Sequence, residues 1–263
     1  MIVAGCDVGS LTSKAVVMRD GRIIGRAVIK SKAKPWESAE SVMQMALAPA
    51  GLGLNDVCYC VGTGYGRDKI PFVHETVSEI GCHGKGARWL VPSVRTVIDI
   101  GGQDCKAMRL DKDGNIEKFI ANDKCASGTG RFLEVMAKAL GVGLGELGDL
   151  SARAKHPVTL ANACTVWAQA DVIRHLHDGV PVEDIVAGIN NAMAARTATL
   201  VRNIGAEPDV CMTGGVAKNG GVLASLERLL SLRLKRIRRE DPQITGAIGA
   251  ALFAAEHANG GRR

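Results

Sequence analysis

Aromatic side chains are scarce in this chain, which has only three Trp, two Tyr and four Phe among its 263 residues. Its basic residues do not alternate with aromatic ones, as they do on surfaces that stack nucleic-acid bases. The net charge is also small, at +6. We therefore expect no nucleic-acid partner, and we expect an interior built from Val, Ile, Leu and Ala.

Long apolar runs are missing as well. No segment approaches the roughly 20 consecutive apolar residues that a membrane-spanning helix needs. Asp7 interrupts residues 1–10, where a signal peptide would need an apolar core. These observations predict a cytoplasmic protein with no membrane association.

Cysteine, by contrast, occurs eight times. A chain of this length can bury enough apolar surface to fold without disulfide bonds, so we expect free thiols or metal ligands. Cys58 and Cys60 fall inside a predicted strand, where core packing is favoured over metal binding. The neighbouring Cys82 and His83 stay an open candidate, because one such pair does not define a metal site.

An internal repeat organises the chain. Residues 7–14, DVGSLTSK, match residues 99–106, DIGGQDCK, and each copy lies between two apolar strands. The turn signal Asp20-Gly21 recurs as Asp113-Gly114, so the offset is 92 to 93 residues. Because the acid, the glycine, the lysine and the later turn agree together, we predict two copies of a β-hairpin unit at the head of two similar halves.

The other elements follow from hydrophobic periodicity and turn signals. We predict strands at 2–8, 15–18, 22–29, 56–62 and 209–212, and helices at 38–47, 182–204, 222–230 and 243–255. The basic run at 233–239, RLKRIRR, is predicted to be a solvated edge strand, with a docking surface for an acidic partner as the alternative. The tail at 260–263 is predicted to be disordered.

The segment at 122–140, NDKCASGTGRFLEVMAKAL, joins a cysteine to a glycine-rich turn and an amphipathic helix. Ser127 or Thr129 is predicted to cap the helix start. Cys125 lies just before that start, where the positive end of the helix dipole favours a thiolate. An inert buried thiol is the alternative.

Cys164 repeats this arrangement. It precedes a second predicted helix that carries Val166, Ala170, Ile173 and His177 along one side. The chain therefore has two similar cysteines, each placed before a helix.

Three glycine-rich loops that follow strands fit a nucleoside-triphosphate cleft, because backbone N–H groups in such loops cradle phosphates. Asp7 and Asp99 are predicted to hold Mg²⁺ through waters, and Lys14 to offset phosphate charge. The third loop, at Gly214 and Gly215, leads into a helix start. The predicted nucleotide-binding residues are Gly9, Ser10, Leu11, Thr12, Lys14, Gly101, Gly102, Gln103, Gly214, Gly215, Lys218 and Asn219. The alternative is three ordinary hairpin turns.

The order DVGSLTSK, DIGGQD, TGGVAKNGG resembles the phosphate and adenosine loops of the acetate kinase, sugar kinase, Hsp70 and actin superfamily. Within it, TGYGR, SEIxCHxxG, DIGGQDxK, NDKCASGTGRFLE, ACTVxA, TGGVAxNxG and PQxxGAIGAA resemble the ATP-dependent activators of 2-hydroxyacyl-CoA dehydratases and the related benzoyl-CoA reductase ATPase subunits. The resemblance covers nearly the whole chain, and seven motifs in order are specific.

The resemblance implies an α/β fold of two duplicated RNase H-like halves, of the actin and Hsp70 type, around a nucleotide cleft. Residues 1–93 would form the first half, with the C-terminal helix at 247–263 packing back on it, and residues 94–246 the second.

The resemblance also implies a homodimer that bridges one [4Fe–4S] cluster, with Cys125 and Cys164 of each subunit as ligands. The number of ligands agrees, because a cubane cluster takes four thiolates and a two-fold axis brings together the two cysteines of each of two chains. By analogy with other glutamines, Gln103 is the candidate for orienting the attacking water. One departure from the family is Gln169, where an acidic residue is common; we expect it to tune the surroundings of the cluster or the partner face.

The expected function is therefore an ATPase that takes an electron from ferredoxin or flavodoxin and delivers it to a 2-hydroxyacyl-CoA dehydratase or a related acyl-CoA reductase. Two alternatives stay open. A small-molecule kinase of the same superfamily would use the loops and leave the cysteine pair idle. A non-enzymatic, ATP-switched interaction module would need a binding domain or filament surfaces.

Overall fold

The computed structural model describes residues 1–122, 125–160 and 164–260. Predictions that fall on Asp123, Lys124, residues 161–163 and residues 261–263 lie outside the described residues. The strands are β1 (Ile2–Val8), β2 (Thr12–Arg19), β3 (Arg22–Lys30), β4 (Tyr59–Thr63), β5 (Glu75–Thr76), β6 (Thr96–Ile100), β7 (Cys105–Leu110), β8 (Ile116–Asn122), β9 (Val210–Thr213) and β10 (Leu234–Lys235). The helices are α1 (Pro35–Leu47), α2 (Glu79–Leu90), α3 (Gly130–Leu140), α4 (Leu147–Ala152), α5 (Thr165–His177), α6 (Val182–Ile204), α7 (Gly220–Leu230) and α8 (Thr245–Gly260).

The strands form two sheets of five with the same order. The first runs β3-β2-β1-β4-β5, and the second, read from its matching edge, runs β8-β7-β6-β9-β10. In each sheet an antiparallel three-stranded meander is followed by a parallel strand, β4 beside β1 and β9 beside β6. The predicted α/β fold with a duplicated hairpin unit is therefore confirmed.

The register of the two sheets repeats at the residue level. Asp7 pairs with Lys14 across β1 and β2, and Asp99 pairs with Lys106 across β6 and β7. The parallel neighbours agree too, because Asp7 faces Thr63 and Asp99 faces Thr213. Two equivalent strand ends therefore each carry an aspartate, a lysine and a threonine.

The central strands lie between helical layers. In β1 every residue from Val3 to Val8 is buried, since α1 and α8 both contact this strand. A strand covered on both faces reads as a continuous apolar run, which is why β1 shows no alternation. The helix α8 also packs against α2 and β4. The division into halves at residues 93–94 and 246–247 stays a prediction.

Several predicted elements match the structure, and one core-packing prediction is wrong. The helix at 182–204 has the predicted bounds, and an edge strand forms in the basic run at 233–239, although only over Leu234–Lys235. Core packing is right for Cys60 and wrong for Cys58, because β4 begins at Tyr59, three residues later than predicted, and leaves Cys58 exposed. On α5 the side with Val166 and Ile173 is exposed, whereas Ala168 and Val172 are buried. The helix turns that other side toward the core.

No helix among the described residues is long and apolar enough to cross a membrane.

Candidate functional site

A cleft of about 420 Å³ lies at the ends of β1 and β6. It is lined by residues from all three glycine-rich loops. The predicted residues on its wall are Asp7, Gly9, Ser10, Leu11, Thr12, Lys14, Asp99, Gly101, Gly102, Gln103, Gly214, Gly215, Lys218 and Asn219. The structure thus brings together every predicted nucleotide-site residue from parts of the chain that are about 200 residues apart.

Two buried carboxylates lie in this cleft, one from each sheet. Asp7 forms an ion pair with Lys14, whose Nζ lies 3.2 Å from Asp7 Oδ2. Asp99 Oδ1 accepts a hydrogen bond of 2.9 Å from the Thr213 hydroxyl and lies 3.2 Å from His83 Nδ1. Each carboxylate therefore has a partner on its own sheet and faces the same space.

Opposing effects set the pKa of Asp99. Burial alone would raise it, but attraction to His83 and Lys106 and the hydrogen bond from Thr213 together hold the pKa of this carboxyl below its usual value. Asp99 is thus kept as a carboxylate, the form that can hold a cation.

A second cluster of charged side chains, centred on Lys106, lines the cleft. Lys106 Nζ lies 3.3 Å from Glu79 Oε2 on α2 and contacts the Asp104 carboxylate. Burial would lower the pKa of Lys106, but attraction to Asp99, Glu79 and Asp104 outweighs it and raises this pKa above its ordinary value. Burial raises the pKa of Glu79. The lysine of the second repeat therefore ties α2 to the second sheet.

Four residues of the cleft were not predicted as nucleotide-site residues. Three of them line it, namely Glu79, His83 and Lys106, and the fourth, Thr213, donates a hydrogen bond to Asp99. Two of them had a signal in the sequence. Lys106 is the repeat partner of Lys14, and Thr213-Gly214 at the end of β9 repeats Thr63-Gly64 at the end of β4. The open candidate His83 lies in the nucleotide cleft, whereas its neighbour Cys82 is buried in the core.

One side chain connects the first and third loops. Gln243 Nε2 donates a hydrogen bond of 3.1 Å to Thr12 Oγ1, and Gln243 Oε1 accepts one of 2.9 Å from Lys218 Nζ. Asn219 caps α7 by accepting hydrogen bonds from the N–H groups of Gly221 and Val222. The third loop is therefore held by Gln243 on one side and by the N-terminus of α7 on the other.

The cysteine that precedes α3 lies in a loop joined to the second phosphate loop. Gly130 N–H donates to Gly101 O and Arg131 N–H donates to Gly102 O, both at 2.9 Å. The side-chain cap predicted for Thr129 is wrong, because Thr129 stands at the N-cap but its hydroxyl donates to Ala126 O. The first N–H groups of α3 find their acceptors in the phosphate loop instead.

The cysteines divide by exposure. Cys125, Cys164 and Cys58 are exposed, and the remaining ones are buried: Cys6, Cys60, Cys82, Cys105 and Cys211. Burial raises the pKa of Cys60, Cys82, Cys105 and Cys211 to about 12 and raises that of Cys6 as well. Buried thiols of this kind are poor ligands, because only the thiolate binds metal.

In the described ranges, no group of three or more His, Cys, Asp and Glu side chains could hold a metal ion within a single chain.

The sequence matches the BadF/BadG/BcrA/BcrD ATPase family over residues 4–254. The chain belongs to this family. It is 44% identical over 258 residues to the activator of lactoyl-CoA dehydratase from Anaerotignum propionicum, an alignment that covers 98% of this chain and 99% of that one. Identity is 34% to one of the subunits of benzoyl-CoA reductase from Thauera aromatica, over 97% of this chain and 93% of that one.

A solved structure of the activator of the 2-hydroxyisocaproyl-CoA dehydratase from Clostridium difficile, with bound ADPNP, superposes with a TM-score of 0.96. It is 40% identical in sequence, and the match covers 100% of this chain and 97% of that one. The expected family and fold are thereby confirmed, and this member of the BadF/BadG/BcrA/BcrD family is an ATPase.

Proposed function

We propose that this ATPase is an ATP-driven iron–sulfur electron donor that reductively activates a 2-hydroxyacyl-CoA dehydratase. The gradient of similarity supports the dehydratase as acceptor, because identity is 44% to a lactoyl-CoA dehydratase activator and 34% to a benzoyl-CoA reductase polypeptide. The donor class we propose is a ferredoxin or a flavodoxin.

ATP would occupy the cleft between the two sheets, with its phosphates on the backbone N–H groups of the first two loops. Asp7 and Asp99 would hold Mg²⁺, mainly through waters, and Lys14 would offset phosphate charge. Gln103, which is exposed on the cleft wall, would orient the attacking water. The buried, ionised state of Asp99 and its fixed hydrogen bond from Thr213 support this assignment.

The donor set fits a [4Fe–4S] cluster shared by two copies of the chain. Such a cluster takes four thiolates. Of the three exposed cysteines, Cys164 lies directly before α5, and Cys125 lies in the loop five residues before the start of α3. Cys58 lies by the first sheet, where its thiol donates a hydrogen bond to Ile2 O. Cys125 and Cys164 of two subunits would therefore complete the set, and the bound cluster would supply a one-electron carrier.

The observation that carries the proposal is the direct hydrogen bonding between the second phosphate loop and the start of α3. Gly101 and Gly102 accept from Gly130 and Arg131, five and six residues after Cys125. A change in the phosphate loop on ATP hydrolysis must move these acceptors or break the bonds, and either event shifts the loop that carries the thiolate. Nucleotide chemistry and the cysteine would thus be mechanically linked.

The proposal is tested with anaerobically purified protein, a 2-hydroxyacyl-CoA dehydratase and a chemical one-electron reductant. We expect dehydratase activity to appear with ATP and Mg²⁺, and not with a non-hydrolysable analogue. Cys125→Ala should abolish activation and leave nucleotide binding largely intact, whereas the matched variant Cys58→Ala should behave like the unchanged protein. Full activation by Cys125→Ala, or activation without ATP, would contradict the proposal.

A further inference from the structure

A second depression, of about 430 Å³, opens beside Cys125. Its wall includes Asn122, Cys125, Gly128, Arg196, Thr197 and Thr199. Arg196 belongs to α6, and it is the only charged side chain among the described residues that line the depression. A positive charge therefore shares this space with the exposed cysteine.

Arg196 has no partner among the described residues. Its guanidinium makes no hydrogen bond, ion pair or aromatic contact there, and the same holds for Arg19, Arg22 and Arg238. Those three are exposed to solvent, whereas Arg196 is partly buried. A partly desolvated cation without a counter-charge is unfavourable, so the depression has the electrostatics of an anion site.

The cysteine loop lies directly against this side chain. Gly128 has a φ of +90°, and a Cβ at that position would lie 3.5 Å from Arg196 Cβ and 3.6 Å from its Cδ. Asn122 holds the same loop by donating from Nδ2 to Ser127 O at 3.3 Å. The loop of Cys125 is therefore fixed over the stem of Arg196.

We propose that Arg196 raises the reduction potential of the cluster by favouring its more negative, reduced state. The inference rests on the proposed function, because it needs a cluster bound at Cys125. Reduction adds one electron from an external donor, with no bond made or broken, and so adds one negative charge near the guanidinium. A fixed cation stabilises the reduced form more than the oxidised form, since the Coulomb attraction grows with the charge.

The test measures the midpoint potential of the anaerobic, cluster-loaded protein by redox titration with dithionite, followed by electron paramagnetic resonance. The variants are Arg196→Gln, Arg196→Lys and the exposed control Arg22→Gln. We expect Arg196→Gln to lower the equilibrium constant for reduction about tenfold, which is about 59 mV toward more negative potential. Arg196→Lys should stay near the unchanged protein, and Arg22→Gln should match it.

Equal potentials for Arg196→Gln and Arg22→Gln would overturn the inference, and so would an equal drop in Arg196→Gln and Arg196→Lys. Iron content is measured in each sample. Loss of iron in Arg196→Gln alone would make the residue an assembly requirement and would also overturn it. Absence of iron in the unchanged protein would instead refute the proposed function, on which the inference depends. If Arg196→Gln does not fold, Arg196→Met, which keeps the apolar stem, replaces it.

Discussion

At the scale of single residues, the cleft depends on how Asp99 is held. Its carboxylate is buried, and its fixed partners on the second sheet and on α2 are Thr213 and His83. A buried carboxylate that loses a hydrogen bond cannot replace it with a bond to water. The orientation of Asp99 therefore depends on these two contacts.

Thr213→Val keeps the shape of the side chain and removes the hydroxyl that donates to Asp99. A hydrogen bond to a charged group contributes about 1.5–3 kcal/mol, so we expect kcat/KM for ATP hydrolysis to fall roughly tenfold to a hundredfold. Steady-state phosphate release measures the effect, with the exposed Thr76→Val as the matched control. Unchanged hydrolysis in Thr213→Val would show that Asp99 does not need this hydroxyl.

The cysteines give a second residue-scale prediction. In cluster-free protein at pH 8, iodoacetamide should label Cys58, Cys125 and Cys164 and leave the others unmodified, because burial keeps those thiols protonated and inaccessible. In cluster-loaded protein only Cys58 should remain reactive. Peptide mass mapping identifies the labelled positions. Labelling of Cys125 or Cys164 in the iron-loaded protein would remove that residue from the ligand set.

At the scale of elements, α2 and α8 pack backbone to backbone. A Cβ at Gly249 of α8 would lie 1.8 Å from Cys82 O of α2. The close approach explains the small residues of the GAIGAA segment and keeps the Glu79 and His83 end of α2 against the cleft. The two helices can approach so closely because Gly249 of α8 and Gly86 of α2 have no side chains; a Cβ at Gly86 would lie 2.1 Å from Thr245 O.

Gly249→Ala should force α2 and α8 apart and lower the free energy of unfolding by about 1–3 kcal/mol, as overpacking in a core does. Thermal unfolding followed by circular dichroism measures the change. Gly260→Ala on the same helix adds a methyl group with no atom of the described residues within 4 Å, so it should be neutral or slightly stabilising. Equal unfolding temperatures for both variants would mean that the helices tolerate the extra group.

The elements themselves were largely predictable from the sequence. The repeat of Asp7 and Lys14 as Asp99 and Lys106 carried enough information to predict both hairpin units, because strand register and turn chemistry are local. The predictions that failed were those that depend on tertiary contacts. The sequence around Thr129 shows a capping residue, but the acceptors that the helix start uses belong to Gly101 and Gly102, which only the fold brings near.

At the scale of the whole molecule, two similar sheets enclose one cleft, and the charged groups between them come from both. His83 on α2 reaches Asp99 and Thr213 on the second sheet, and Gln243 joins Thr12 to Lys218. No local pattern predicts such partners, because His83 and Thr213 are 130 residues apart. The three glycine loops were predictable for the opposite reason, since each is a short contiguous motif.

The phosphate loop and the cysteine loop meet in one molecule, whereas the proposed cluster needs two molecules. Cys125 and Cys164 would supply two of the four thiolates that such a cluster takes. A shared cluster on a two-fold axis is therefore the central claim about the assembly.

Native mass spectrometry of protein purified without oxygen tests this claim most directly. We predict a species with the mass of two 27.6 kDa chains plus one [4Fe–4S] cluster, and its loss in Cys125→Ala and Cys164→Ala but not in Cys58→Ala. Single chains that each carry a complete cluster, or an iron-free dimer after anaerobic reconstitution with iron and sulfide, would contradict it.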